Sequence, residues 1–269
     1  ATLAPCGKRG GQPGADQEDI NRALIEHGRA GLRVVRLKGG DPTIFGRGGE
    51  EGAALAAAGG RFEIVPGITA AIAAGACAGI PLTHRGMGST LAWVTGHEDP
   101  TKPDSQVDYA ALARMGTVVF YMGVRTLGDT AGRLITAGMA PDTPAAVVRW
   151  ASRPGQRSVT GVLGDIAERV SAAGITAPAI TITAPVVSLR PTLDWFESRP
   201  LFGRRVAITR PAHQSGDLAG RLTAAGATVV AAPTIEIFPL DDTAEVDGAL
   251  ARVGEYEWPA LTSVNGVVA

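Results

Sequence analysis

The stretch that most constrains the fold is residues 36–51, RLKGGDPTIFGRGGEE. A short β-branched run before it predicts a buried parallel strand over 32–37, and an Ala-rich segment after it predicts a helix over 50–58. In open α/β sheets, the loops at the carboxyl ends of strands form the ligand crevice. Gly39 and Gly40 would allow a ligand to lie directly on the backbone. This loop is therefore a candidate binding site.

A second strand-to-helix turn follows the same pattern. A strand is predicted over 62–65, a loop over 66–70 (PGITA), and a helix of small residues over 71–78. Since the carboxyl ends of parallel strands lie at one edge of a sheet, the two loops are expected to be neighbours.

Strand-like and helix-period segments continue to alternate along the chain, which favours an α/β protein. The first helix is expected over 16–29, with Asp16 as its cap and Asp19 at the capping-box position. Further strands are predicted over 91–95, 117–122, 145–149, 157–161, 180–183, 205–209, 228–232 and 258–262, and further helices over 126–137, 214–225 and 244–253.

Composition excludes several classes of partner. The 269-residue chain has a formal net charge of −1, which provides no general field for nucleic acid or an anionic membrane. Cys6 and Cys77 are its two cysteines, as expected in a reducing compartment. We find no signal peptide and no apolar run of the roughly 18 residues that a membrane span needs. A soluble, cytoplasmic protein without nucleic-acid or membrane partners is expected.

Several common site motifs are absent from the sequence. It contains neither the G-x-G-x-x-G of a dinucleotide fold nor the G-x-x-x-x-G-K of a P-loop. It has no G-x-S-x-G nucleophile elbow. The four histidines are scattered, and neither cysteine has a partner at ligand spacing, so no metal site is expected.

Several short motifs together resemble the uroporphyrinogen-III C-methyltransferases of the tetrapyrrole methylase superfamily. They are 7–9 (GKR), 17–21 (QEDIN), the Gly-Asp loop, 65–70 (VPGITA), 79–85 (GIPLTHR) and 94–97 (VTGH). The resemblance covers about residues 1–200. It implies a two-lobed α/β fold with S-adenosyl-L-methionine in the cleft between the lobes, and a homodimer. The implied reaction is methylation of uroporphyrinogen III to precorrin-2 for siroheme or cobalamin biosynthesis.

The resemblance also implies roles for individual residues. Lys8 matches a proposed proton donor and is the candidate catalytic residue. The positions that match cofactor contacts are Gly39, Gly40, Asp41, Ile44, Thr69, Ala70, Met122 and Ala151. Because the implied substrate carries eight carboxylates, cations in the motif loops are candidates to bind it. These cations are Arg9, Arg47, His84 and Arg85.

Simpler structural roles remain open for several of these residues. Lys8 could be a solvated cation, and Asp41 could serve only as a turn residue before Pro42. Met122 could fill the core beside Phe120. His84 and Arg85 could belong only to a hinge between two lobes.

Residues 201–269 are similar to the opening of the uroporphyrinogen-III synthases. Thr209, Arg210, Ser263 and Asn265 resemble cleft residues of that family. The resemblances together divide the chain into the remainder of the methylase N-terminal lobe (1–83), the methylase C-terminal lobe (84–190), a linker (191–202) and a partial synthase domain (203–269). Only the early part of a synthase is present, so no synthase activity is expected from this segment.

The same family comparison predicts a chain truncated at both ends, because members begin with an earlier strand and a Gly-rich loop. Two alternatives stay open. One is a methylase of a later corrin intermediate, against which 8–9 and 17–21 argue. The other is an inactive fragment that only binds or dimerises.

Overall fold

The computed structural model describes residues 2–6, 15–96, 106–238 and 241–260. Among the sequence-predicted site residues, Lys8 and Arg9 lie outside these ranges, as do Ser263 and Asn265. The chain divides into two compact units, Ala1–Gly203 and Arg204–Ala269. Helices and strands alternate in both, which confirms the α/β class.

Three predicted helices open the first unit. They are α1 (Gln17–Arg29), α2 (Gly48–Ala57) and α3 (Ala70–Cys77). The capping box predicted for α1 does not form, because the Asp16 side chain makes no cap hydrogen bond and Asp19 instead pairs with Arg22 at 2.9 Å. In α3 the side chains are small, so the helix can approach the sheet closely and bury Ala71 and Ala74 completely.

The two strands predicted before the candidate loops are wrong. Residues 32–38 and 61–69 run as irregular backbone, and Val35, Leu37 and Val65 are mostly exposed. A segment with an apolar, β-branched pattern forms a strand only where a neighbouring strand completes the hydrogen-bond ladder. Neither segment has a ladder partner among the described residues, so the β-branched runs form no strand.

The second half of the first unit contains a five-stranded sheet in the described residues. Its elements in chain order are β1 (Leu91–Thr95), α4 (Tyr109–Leu112), β2 (Thr117–Tyr121), α5 (Leu127–Thr136), β3 (Pro144–Arg149), β4 (Arg157–Val162), α6 (Ile166–Ala172), β5 (Ala179–Thr183) and α7 (Arg190–Leu193). The strand order is β1-β2-β5-β3-β4. Since β1 is parallel to β2, and β5 is antiparallel to both β2 and β3, the carboxyl ends of β1, β2 and β3 lie at one edge.

Each face of this sheet is covered by helices. Val119, Tyr121 and Val148 pack with α3 and Ile80 on one face. On the opposite face, Phe120 packs with residues of α5, and residues of β3 pack with residues of α6. The first face therefore brings the loops around α3 to the edge where β2 and β3 end.

The end of α3 is bound by side chains from later in the chain. Backbone carbonyls at a helix C-terminus have no partners within the helix. Here Trp195 Nε1 donates to the Ala76 carbonyl (2.8 Å), Gln156 Nε2 to that of Cys77 (3.0 Å), and Arg190 Nη1 to that of Ala78 (2.5 Å). The segment predicted as a linker, 191–202, thus contributes to this contact within the first unit.

The structure of the second unit confirms part of the secondary structure predicted for it from the sequence. Parallel strands β6 (Arg205–Ile208) and β7 (Thr228–Ala231) form, with helices α8 (Gly216–Ala224) and α9 (Ala244–Ala251). Residues 258–260 of the last predicted strand are irregular, and 261–262 lie outside the described residues.

The described residues contain neither a membrane-spanning helix nor a metal-binding cluster. None of their helices is long and apolar enough to cross a bilayer. Within those same ranges, no group of three or more His, Cys, Asp or Glu side chains is arranged to hold a metal ion.

Replacing Gln156 with leucine tests the contact at the end of α3. Gln156 is 2% exposed; its oxygen accepts from the Ser152 N–H, and its amide donates to Cys77 and Glu197. Leucine would leave the Ser152 N–H and the Cys77 carbonyl without this partner at about 1–3 kcal/mol each, whereas Glu197 keeps Ser158 and Arg190. The free energy of unfolding should therefore fall by about 2–6 kcal/mol. Urea denaturation measures it. The exposed Thr136→Leu is the control, and a fall no larger than the control's contradicts the buried role of Gln156.

Candidate functional site

Asp41 connects the two predicted loops. Its Oδ1 accepts hydrogen bonds from the Thr43 N–H (2.8 Å) and hydroxyl (2.5 Å), and its Oδ2 accepts from the Gly67 N–H (3.0 Å). These bonds, led by that of the Thr43 hydroxyl, lower the pKa of the Asp41 carboxyl. Asp41 therefore has the turn role considered from sequence, and it also holds an ionised carboxylate between the loops.

The backbones of the two loops are in direct contact. Gly40 has φ of +76°, a left-handed conformation that favours glycine. A Cβ on Gly67 would lie 2.4 Å from the Gly40 carbonyl oxygen, which is closer than any real side chain permits. Glycine is therefore required at position 67 for the loops to meet, and it is favoured at position 40 by the backbone conformation.

The second loop is bound to the sheet through Tyr121, the last residue of β2. The Tyr121 hydroxyl lies 2.7 Å from Thr69 Oγ1 and accepts from the Ala71 N–H at 3.2 Å. Its ring packs on Phe45 from the first loop, with centroids 4.9 Å apart. One side chain thus contacts both loops.

Met122 and Ala151 lie where β2 and β3 end, at the same edge. Met122 is 53% exposed, so it does not fill the core beside Phe120. It has φ of 57°, and the two neighbours of Ala151 are also left-handed, Trp150 at 52° and Ser152 at 67°. Left-handed non-glycine residues are uncommon, and they concentrate at functional sites.

The sequence-predicted cofactor positions lie in segments that the structure brings to the same edge. Ile44 and Ala151 pack against the buried cluster that contains Tyr121. Gly39 lies beside Gly40 with open space where a Cβ would project. Around this edge the described chain collects Gly39, Gly40, Asp41, Ile44, Thr69, Ala70, Met122 and Ala151.

Three of the predicted substrate-binding cations fall within the described residues, and all three are exposed. Arg47 has φ of 58° and makes a two-pronged pair with Glu50, at 2.9 and 2.6 Å. His84 and Arg85 are exposed in a turn closed by the His84–Gly88 bridge. Leu82 and Met87, which flank this turn, pack on the Tyr121 cluster.

Sequence reasoning missed Glu51. This carboxylate is 5% exposed; it accepts from Lys38 Nζ at 2.7 Å and from Arg36 Nε and Gln17 Nε2, each at 3.3 Å. Burial raises the pKa of Glu51, but the Lys38 and Gln17 hydrogen bonds and the nearby cations outweigh it, so the net shift is downward. Glu51 ties α1 and α2 to the segment before the Gly-Asp loop.

Sequence reasoning also missed Tyr121. A tyrosine directly after the apolar run 118–120 was the available signal, because a buried phenol hydroxyl needs a hydrogen-bond partner.

Comparison with known proteins places these motifs in a family. The profile of the tetrapyrrole (corrin/porphyrin) methylases matches residues 2–167, and that of uroporphyrinogen-III synthase HemD matches 216–269. Porphyrin biosynthesis protein HemD of Ruminiclostridium josui is 41% identical over 251 residues, 93% of this chain and 50% of that protein. The S-adenosyl-L-methionine-dependent uroporphyrinogen III methyltransferase of Methanosarcina barkeri is 48% identical over 188 residues, 70% of this chain and 74% of that protein.

A solved structure is also similar to this chain and belongs to the same group of methyltransferases. The crystal structure of uroporphyrin-III C-methyl transferase from Thermus thermophilus, complexed with S-adenyl homocysteine, aligns with a TM-score of 0.57 and 40% identity. The alignment covers 64% of this chain and 75% of that one.

The fold is that of an α/β protein in which two glycine-containing loops meet beside the carboxyl edge of a sheet. The chain belongs to the tetrapyrrole methylase family. It spans about half the length of the curated relatives that it matches over both units.

Substituting Glu51 with glutamine tests the buried carboxylate. Because the folded-state pKa of Glu51 lies below its ordinary value of 4.5, the carboxylate stabilises the fold above that value, and the stabilisation is lost as pH falls through the folded-state pKa. Glu51→Gln should lower the free energy of unfolding by about 1.5–3 kcal/mol near neutral pH. The two proteins should converge in acid, when wild-type Glu51 is protonated.

Urea denaturation across pH measures this difference, with Glu50→Gln as the control. Glu50 pairs with Arg47 on the exposed surface of the same helix, so its loss should cost less than about 1 kcal/mol. A Glu51→Gln difference that does not change with pH would contradict the assignment.

Proposed function

We propose that the protein uses S-adenosyl-L-methionine to C-methylate uroporphyrinogen III, giving precorrin-2. The observation that carries this proposal is the convergence of three sequence-distant segments. Asp41 bonds to Gly67, and Thr69 bonds to Tyr121 beside Met122. The names of the methyltransferases in the comparisons support the choice of reaction.

The residues at this edge fit the chemistry of the cofactor. S-adenosyl-L-methionine is a zwitterionic amino acid joined through a sulfonium to adenosine, so it requires backbone donors and acceptors, an acidic neighbour and apolar walls. Open space at Gly39 exposes backbone groups, and Asp41 supplies the ionised carboxylate. Ile44 and the exposed side chain of Met122 supply apolar surface.

The chain's own contribution is orientation. The cofactor, when bound, supplies an electrophilic methyl group, and the attacking carbon belongs to the substrate pyrrole. Little side-chain chemistry is then needed, and holding the two reactants in line while excluding water contributes most of the rate. The glycine contacts and the Tyr121 hydrogen bonds would fix the cofactor side of that geometry. Lys8 is proposed as a proton donor and lies outside the described residues.

Substrate carboxylates would be bound by exposed cations. We assign this role to Arg47, His84 and Arg85, together with Arg9 outside the described residues. Arg guanidinium groups suit two-pronged carboxylate binding. Glu50 already balances the charge of Arg47. Of the two arginines within the described residues, the exposed Arg85 is therefore the stronger candidate.

We further propose that the protein is a cytoplasmic homodimer that binds neither nucleic acid nor membrane. Residues 203–269 are proposed to belong to a uroporphyrinogen-III synthase domain, in line with the family match over 216–269.

Calorimetric titration with S-adenosylhomocysteine, followed by transfer of a labelled methyl group to uroporphyrinogen III, tests the function. Saturable binding and transfer are expected. Binding without transfer would favour the fragment that only binds, and absence of binding would refute the cofactor assignment.

Gly39→Ala separates cofactor contact from folding. A methyl group at Gly39 meets no protein atom within 4 Å, so the free energy of unfolding should change by less than about 0.5 kcal/mol. If the cofactor lies on this backbone, the methyl group should weaken S-adenosylhomocysteine binding by roughly tenfold or more. Gly49→Ala, also into open space but on α2, is the control for calorimetry. Equal affinity in all three proteins would contradict a contact at Gly39.

A further inference from the structure

Tyr121 occupies an unusual place for a buried tyrosine. It ends β2 immediately before Met122 and is 7% exposed. Its hydroxyl reaches across to the start of α3, where it meets Thr69 Oγ1 and the Ala71 N–H. The second loop and the first turn of α3, residues 66–71, are called the cofactor turn below.

The Tyr121 hydroxyl acts as the cap of α3. A threonine at the N-cap position ordinarily accepts a hydrogen bond from an N–H of the first helical turn. Thr69 holds that position but makes no such bond, because its hydroxyl is turned to Tyr121. The Ala71 N–H, otherwise one of the unpartnered donors of a helix start, donates to Tyr121 instead. The cap thus comes from a strand 52 positions away from Thr69.

The ring of Tyr121 makes a second, separate contact. It packs on Phe45, which belongs to the same loop as Gly39–Asp41. The hydroxyl therefore forms hydrogen bonds with the cofactor turn, while the ring packs against the Gly-Asp loop. Removing only the hydroxyl separates these two effects, since the ring keeps its place in the core.

We propose that Tyr121 is a positioning residue, which holds the cofactor turn in register with the Gly-Asp loop by capping α3. This inference rests on the proposed function for its ligand. Its structural part, the capping of α3, holds with or without the ligand.

Tyr121→Phe tests the proposal. S-adenosylhomocysteine should bind roughly tenfold more weakly, because two hydrogen bonds that order its site are lost. The KM for S-adenosyl-L-methionine should rise, while kcat at saturation stays near the wild-type value. Amide exchange at Ala71 in the ligand-free protein should be roughly tenfold faster. Tyr109→Phe is the same substitution on the opposite face of the sheet. It should leave the affinity for S-adenosylhomocysteine, the KM and the exchange rate at Ala71 unchanged.

Thr69→Val completes a double-mutant cycle. Each single variant removes the same Thr69–Tyr121 hydrogen bond, so the double variant should weaken binding by less than the product of the two single effects. Wild-type affinity in Tyr121→Phe, or unchanged exchange at Ala71, would overturn the proposal. If the wild-type protein binds no S-adenosylhomocysteine, the proposed function fails, and exchange at Ala71 alone decides the capping role: faster exchange supports it, and unchanged exchange overturns it.

Discussion

Helix α3 is held at both ends by side chains that come from the second half of the first unit, and the candidate site depends on this. At its start, the Tyr121 hydroxyl bonds to Thr69 and to the Ala71 N–H. At its end, three successive carbonyls accept from Trp195, Gln156 and Arg190. Polar groups at helix termini need partners when they are buried. The position of α3 is thereby fixed relative to the sheet, and with it the turn that carries Thr69 and Ala70.

Small residues make this arrangement possible. A Cβ on Gly75 would lie 2.7 Å from the Ile80 carbonyl oxygen, and one on Gly79 would lie 2.4 Å from that of Leu193. The same requirement applies at Gly67, where the two loops touch. Close backbone approach therefore recurs from the Gly-Asp loop to the far end of α3. A site built from backbone contacts suits a reaction in which orientation contributes more than side-chain chemistry.

Local pattern predicted the elements whose apolar faces are buried, and it failed where the outcome depended on distant residues. Helix α3 and strands β2, β3 and β5 follow from the sequence pattern, because their apolar side chains lie in the core. Segments 32–37 and 62–65 also have a strand-like sequence pattern. A strand needs a neighbouring strand to pair with, and local propensity does not provide one.

The same distinction applies to the site. The Gly-Gly-Asp motif identified the first loop as a candidate site from the sequence, and family resemblance assigned Thr69 and Ala70 as cofactor contacts. Tyr121 and Glu51 were missed because their roles are set by partners 52 and 13 positions away, respectively. Family resemblance suggested Met122 as a contact, and its exposure in the structure decides against the core-filling role that local pattern left open.

A crystal structure of the protein with S-adenosylhomocysteine tests the central claim most directly. The account predicts the ligand at the carboxyl edge of β2 and β3. It should contact the backbone of Gly39 or Gly40, the cofactor turn and Met122, with the Tyr121 hydroxyl still bonded to Thr69. A ligand bound elsewhere on the chain, or one that contacts the Gly-Asp loop without the cofactor turn, would contradict it.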